Sequence, residues 1–168
     1  EVMLAHHLHG LFDRMRGLDV AVKVLRQEGS NTRSFNEVFK KEALILSELQ
    51  HPNIVRIYEF GRDGELLFIV MDWVEGQDLK DIIASHRGAF SLAEVSDILA
   101  PVSKALHFTH SQRPPIFHCD VKPSNILVKR DRSNVLLSDF GVARLASEGA
   151  GGGTVPYMGP EQFTRGAI

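Results

Sequence analysis

Apolar residues alternate along residues 20–25, from Val20 through Val22 and Val24, as in a strand with at least one buried face. The period then changes. Phe35, Val38, Ile45, Leu46 and Leu49 recur at helical spacing over residues 31–50, and Ser30, Asn31, Thr32 and Ser34 are candidate N-caps. Glu42 falls on the inward stripe of that helix. A charge there needs a buried partner, and Lys23 on the preceding strand is the obvious one. His51-Pro52-Asn53 closes the helix, because proline disfavours a helical residue before it. Residues 54–60 and 66–71 read as two strands joined by a hairpin-like turn, Gly61-Arg62-Asp63-Gly64. Residues 78–85 predict a short helix and residues 91–111 a longer one. Ser91 and Glu94 stand at capping-box spacing, and Pro101 should bend the long helix or mark a boundary. Two short strands, 126–128 and 135–137, flank a polar turn at 130–134. Gly17-Leu18-Asp19 reads as a turn and 149–153 as a flexible loop. Residues 1–12 show no clear period.

Composition narrows the class without naming the chemistry. The chain has 168 residues, 43% hydrophobic and 24% charged, as in an ordinary soluble globular domain. A formal net charge of −2 gives no reason to expect nucleic acid or an anionic membrane as partner. Cys119 is the single cysteine, so no disulfide forms within the chain, which fits a reducing compartment. The longest apolar run, residues 66–71, is far short of the ~20 residues a membrane helix needs. His6, His7 and His9 lie close together, but no second ligand cluster at metal spacing accompanies them.

The chemistry concentrates in two segments. In His118-Cys119-Asp120-Val121-Lys122-Pro123-Ser124-Asn125 a carboxylate is followed by a cation two residues on and an amide carbonyl three further along. Asp139-Phe140-Gly141 then supplies a second carboxylate before a glycine. A carboxylate to orient a hydroxyl, a lysine to meet phosphate oxygens, and an Asn/Asp pair to hold a hard cation are the parts phosphoryl transfer requires.

Order and spacing of these segments resemble the catalytic loop and metal-binding triplet of the protein kinases. Val20-Ala21-Val22-Lys23 resembles the kinase strand carrying the phosphate-binding lysine, and Glu42 stands where kinases keep its glutamate partner. Gly153-Thr154-Val155-Pro156-Tyr157-Met158-Gly159-Pro160-Glu161 resembles the end of the activation segment, with Gly159 in place of the usual alanine. The Lys-Pro-Ser-Asn loop and the Tyr-Met-x-Pro-Glu-Gln ending look most like the bacterial branch of the eukaryotic-like Ser/Thr kinases. The resemblance covers about residues 13–162. It implies an α+β, two-lobe kinase fold: an antiparallel-sheet small lobe with its helix (about 1–71), a hinge (72–76), and the first half of a mainly helical large lobe (77–168). The chain is shorter than a whole kinase domain, so a partial domain is expected.

The resemblance also implies roles. Asp120 would orient the substrate hydroxyl, Lys122 would reach the γ-phosphate, and Lys23, held by Glu42, would neutralise the α- and β-phosphates. Asn125 and Asp139 would hold Mg²⁺. Ala21 and Leu127 would sandwich the adenine of ATP, and Met71 would be the gatekeeper. Backbone groups of Asp72 and Val74 would meet the purine edge, and Asp78 the ribose. Lys122 and Thr154 point to Ser/Thr rather than Tyr acceptors on a protein substrate. His118 is expected to anchor the loop rather than transfer protons, and Phe140 to pack. A cytoplasmic location follows from the need for ATP and the lone cysteine.

Three departures qualify the match. Without gaps, the phosphate-cradling glycines would fall at Glu1, Met3 and His6, none of them glycine. The loop is then degenerate, or the chain begins within or after it, or residues 1 to about 12 are out of frame. Cys119 replaces the arginine that normally pairs with a phosphate on the activation loop, and Ser147 is the only hydroxyl between Gly141 and Thr154. Weak dependence on loop phosphorylation follows, with an unchanged rate expected for Ser147→Ala. The large-lobe partners that would support the catalytic loop and pair with Glu161 are absent from the sequence. The rival readings are a pseudokinase scaffold with a degenerate glycine loop and a small-molecule phosphotransferase of the same broad fold. The full set Lys23, Glu42, Asp120, Asn125 and Asp139 argues against the first. The peptide-platform segment 153–161 argues against the second.

Overall fold

The structure is a computed structural model that describes residues 2–5, 19–25, 46–63, 66–140 and 155–159. Most of the 31–50 helix, Glu42 included, lies outside the described residues. So do Gly17, Leu18, His6, His7, His9, Ser147, the 149–153 loop, Thr154, Pro160 and Glu161. The chain divides into two compact units, one of residues 1–49 and 56–73, the other of residues 50–55 and 74–168.

The first unit is built on a four-stranded antiparallel sheet. Its strands are β1 (Val2–Ala5), β2 (Val20–Leu25), β3 (Ile57–Asp63) and β4 (Leu66–Asp72), in the order β1-β2-β4-β3. β4 is central, paired along one edge with β2 and along the other with β3. Its Ile69 and Val70 are both fully buried, so the strand is covered on both faces. Val20 and Val70 form a small core against which Val22, Tyr58 and Phe68 pack. Leu46 and Ser47 are helical, and the helix has ended by Leu49, before Pro52, as the proline predicts.

Three expectations are corrected here. β1 was not expected, because four consecutive apolar residues show no alternation; it is recruited by pairing with β2, with Met3 opposite Val22. Met3 therefore sits in a regular strand. The strand expected at 54–60 begins only at Ile57, because Ile54 and Val55 are drawn to Leu137: Ile54 bridges it in parallel, and the Val55 N–H donates to its carbonyl at 3.0 Å. Gly61 to Asp63, expected as a turn, continue β3. A Cβ on Gly61 would lie 2.0 Å from the Phe68 ring, so this glycine lets the neighbouring strand's ring lie across it.

The second unit holds a three-stranded antiparallel sheet and two helices. Its strands are β5 (Gly76–Asp78), β6 (Ile126–Lys129) and β7 (Val135–Leu137), in sequential order. Helix α1 (Leu79–Ser85) is capped by Asp78, whose Oδ1 accepts the Asp81 N–H at 2.8 Å. Helix α2 (Leu92–His110) opens with the reciprocal Ser91–Glu94 capping box. It runs through Pro101 without the expected boundary. One ladder bond is lost there, but Val102, Ala105 and Thr109 beyond it are buried, and that packing holds the helix together. Residues 50–55 are tied into this unit by side chains. The Asn53 amide donates to Asn134 Oδ1 (2.7 Å) and to the Val135 carbonyl (3.0 Å), and Asn134 donates back to the Pro52 carbonyl (2.7 Å).

Candidate active site

The two chemical segments meet within the second unit. Residues 118–122 form a loop, Pro123–Asn125 a single 3₁₀ turn with proline at its start, and Ile126 opens β6. Asn125 is 4% exposed, and its amide donates to the Asp120 carbonyl (2.8 Å) and to Asp120 Oδ2 (3.2 Å). Both bonds use Nδ2, which fixes the amide's orientation and commits its Oδ1 to another direction. The Lys122 ammonium stands 2.6 Å from the same Asp120 Oδ2. The carboxylate is thus held from two sides, by an amide and by a cation, and is only 9% exposed.

The Asp139 segment is sewn to this loop through Ser138. Its N–H and its hydroxyl both donate to the Asn125 carbonyl, at 2.9 and 3.1 Å. Its carbonyl pairs with His118 Nε2 at 2.8 Å, while His118 Nδ1 accepts the Asp120 N–H at 3.2 Å. Since Nδ1 accepts, Nε2 carries the proton and donates, so the ring is neutral. Burial lowers its pKa from the ordinary 6.5, in agreement with that assignment. The ring is 2% exposed and packs against Phe140 at 4.5 Å between centroids. The anchoring role expected of His118 is what these bonds provide, and Phe140 packs as expected. Cys119 and Asp139 both have positive φ, 63° and 64°, uncommon for residues other than glycine. A left-handed backbone residue thus precedes one candidate carboxylate, Asp120, and carries the other, Asp139.

Other predicted residues come together in pairs. Ala21 and Met71 are direct cross-strand partners of β2 and β4, both buried. Asp78 and Leu127 are partners of β5 and β6. One Asp78 oxygen is used as the α1 cap, a role the sequence reading did not give it. The Asp72 N–H donates to the Arg56 carbonyl at 2.9 Å, so that N–H is already engaged within the sheet. Lys23 lies opposite Ile69 on β2, and its expected partner Glu42 is outside the described residues. Two contributors escaped the sequence reading. Ser138 had no signal beyond its place before Asp139. Tyr58, whose hydroxyl donates to Asp72 Oδ1, sits in a β-bulge between Ile57 and Glu59 that no composition cue marks.

The donor chemistry suits magnesium. Among the described residues no cluster of three or more His, Cys, Asp or Glu side chains could hold a metal ion. An amide oxygen and a carboxylate are hard ligands, and magnesium takes few such ligands from protein, leaving the rest to phosphate and water. Also among the described residues, no helix is long and apolar enough to cross a membrane.

The protein kinase domain family matches residues 9–167. The chain is 36% identical over 154 residues to the serine/threonine-protein kinase PrkC of Bacillus subtilis, covering 88% of this chain and 23% of that protein. It is 36% identical over 156 residues to the serine/threonine-protein kinase PknB of Mycolicibacterium smegmatis, covering 86% and 24%. The chain thus spans about a quarter of the length of these curated relatives. Among solved structures, the PknI kinase domain of Mycobacterium tuberculosis superposes with a TM-score of 0.71 at 27% identity, covering 89% of this chain and 56% of that one. A double mutant of the same domain gives 0.70 at 30% identity, covering 85% and 54%.

Proposed function

The chain belongs to the protein kinase domain family, and on that premise we propose that it forms part of an enzyme that transfers the terminal phosphate of ATP to Ser or Thr hydroxyls of a protein substrate. The observation that carries this reading is the doubly held carboxylate of Asp120, fixed by the Asn125 amide and the Lys122 ammonium. Asp120 accepts the hydrogen bond of the substrate hydroxyl and aims its oxygen; with a loose transition state, aim matters more than base strength. Lys122 lies where it would swing from Asp120 to phosphate oxygen as charge develops. Lys23, paired with Glu42, would neutralise the inner phosphates. Asn125 and Asp139 would hold Mg²⁺, which supplies charge neutralisation on the phosphates when bound. Ala21, Met71 and Leu127 would bound the adenine, Asp72 and Val74 would offer it backbone groups, and Asp78 has a second oxygen for the ribose. Use of ATP would place this domain on the cytoplasmic side.

The scaffold alternative rested on a degenerate glycine loop at Glu1, Met3 and His6. Of these three positions only Met3 lies among the described residues, as a strand residue. The test is calorimetric titration of the full-length protein with ATP, with and without magnesium. Metal-dependent binding in wild type, lost in Asp139→Ala, is expected. A folded wild type that shows no metal-dependent binding would overturn the proposal.

A further inference from the structure

The second unit carries a cleft of about 430 Å³ that none of the chemistry above uses. Its walls are the C-terminal end of α1, strand β5 and the β6–β7 turn. Arg87, Lys129, Arg130, Arg132 and His86 line it, and no aspartate or glutamate does. Four permanent cations therefore surround one concavity in a chain whose net charge is −2.

The walls are fixed by backbone bonds. The His86 N–H donates to the Ile82 carbonyl (2.9 Å), and the Arg130 N–H to the Glu75 carbonyl (2.9 Å). The Lys129 N–H donates to the Asn134 carbonyl (3.1 Å). The His86 ring stacks on Phe90 at 3.9 Å. Gly76 lets β5 press against β6, because a Cβ there would lie 2.1 Å from the Val128 carbonyl oxygen. The cations thus project from a preformed frame.

Nearby acids offset this charge only in part. Glu75 pairs with Arg130 at 2.9 Å, but the two side chains are 66% and 79% exposed, so the pair is weak and readily exchanged. The Glu94 carboxylate feels His86 and Arg132 but is engaged by the Ser91 N–H and hydroxyl. Asp131 accepts the Ser133 N–H and also feels Lys129. Arg87, Lys129 and Arg132 remain as exposed cations at the cleft.

We propose that this cleft docks an acidic, Asp/Glu-rich segment of a protein partner. Charge complementarity sets the sign of the ligand. The concave form selects a single extended chain, since a duplex or a bilayer would need a broad basic face, which a chain of net charge −2 does not suggest. The volume is that of a ligand-sized cleft, with room for a few residues. Docking here would raise the local concentration of the partner's acceptor segment without touching the chemistry.

The test is fluorescence anisotropy of a labelled Glu/Asp-rich peptide with the full-length protein across a salt series. Wild type should bind, more weakly as salt rises. Arg87→Ala/Lys129→Ala/Arg132→Ala should weaken binding by roughly tenfold or more, with an unchanged thermal unfolding curve. Lys104→Ala/Arg113→Ala, which removes two exposed cations that do not line the cleft, should leave affinity unchanged. Absence of binding by wild type, or equal loss in both variants, overturns the proposal. Tighter binding of single-stranded DNA or phosphatidylserine vesicles than of the peptide, lost in the cleft variant, also overturns it. Mg·ATP titration of the same proteins keeps the two readings apart: loss of nucleotide binding in wild type refutes the kinase reading and leaves the peptide result standing.

Discussion

Replacing His118 with phenylalanine isolates the bond network that joins the two chemical segments. Phenylalanine keeps the ring against Phe140 but removes both nitrogens. The Ser138 carbonyl loses its donor at 2.8 Å and the Asp120 N–H loses its acceptor at 3.2 Å. The site is 2% exposed, so water does not readily replace either partner. Each orphaned group costs about 1–3 kcal/mol, so a loss of roughly 2–6 kcal/mol is expected for the pair. Urea unfolding of wild type and His118→Phe at neutral pH measures it. The same pair of proteins gives a pH test. Burial lowers the folded-state pKa of His118 below 6.5, so the folded state binds fewer protons than the unfolded one. Its contribution to stability is therefore complete above about pH 6.5 and declines as pH falls from there towards the folded-state pKa. His51 is shifted in the same direction, first by burial and then by Lys104, so the informative quantity is the difference between the two proteins. The gap in stability should narrow on acidification. A gap below about 0.5 kcal/mol at neutral pH, or one that widens in acid, refutes the neutral, doubly bonded ring.

Two other substitutions test separate parts of the fold. Gly76→Ala would place a methyl group 2.1 Å from the Val128 carbonyl oxygen, and separating β5 from β6 should cost about 1–3 kcal/mol in denaturant unfolding; an unchanged midpoint would show that the strands are not so close. Tyr58→Phe removes the donor to the Asp72 carboxylate, which the phenol serves at any physiological pH because burial and Asp72 push its pKa up to about 12. Mg·ATP affinity should fall by about fivefold, the value of one hydrogen bond, and unaltered affinity would mean that Tyr58 does not steady Asp72 for nucleotide.

Much of the site was legible because its information is local. The Asp120–Asn125 bonds span five residues, the Ser91–Glu94 box spans three, and the Asp78 cap lies next to its helix. Alternation in β2 was enough to draw that strand. What escaped depends on partners far along the chain. Ile54 and Val55 look like the start of a strand until Leu137, more than eighty residues later, takes their hydrogen bonds. Gly61 reads as a turn until Phe68 lies over it. β1 exists only because β2 offers it an edge. Pro101 signals locally against helix continuity, but 91–111 still read as one helix, and burial of Val102, Ala105 and Thr109 holds it together. The cleft cations come from two separate stretches, Arg87 and residues 129–132, and no local charge run announces that they meet.

The most direct test of the proposed activity is phosphate transfer from ATP to Ser/Thr peptides by the full-length protein, compared with its Asp120→Asn variant. Magnesium-dependent transfer by wild type is expected, reduced by roughly a hundredfold or more in Asp120→Asn, with Mg·ATP affinity largely preserved. Transfer that survives Asp120→Asn at the wild-type rate, or a folded wild type that binds Mg·ATP and transfers nothing, would contradict the role given to the held carboxylate.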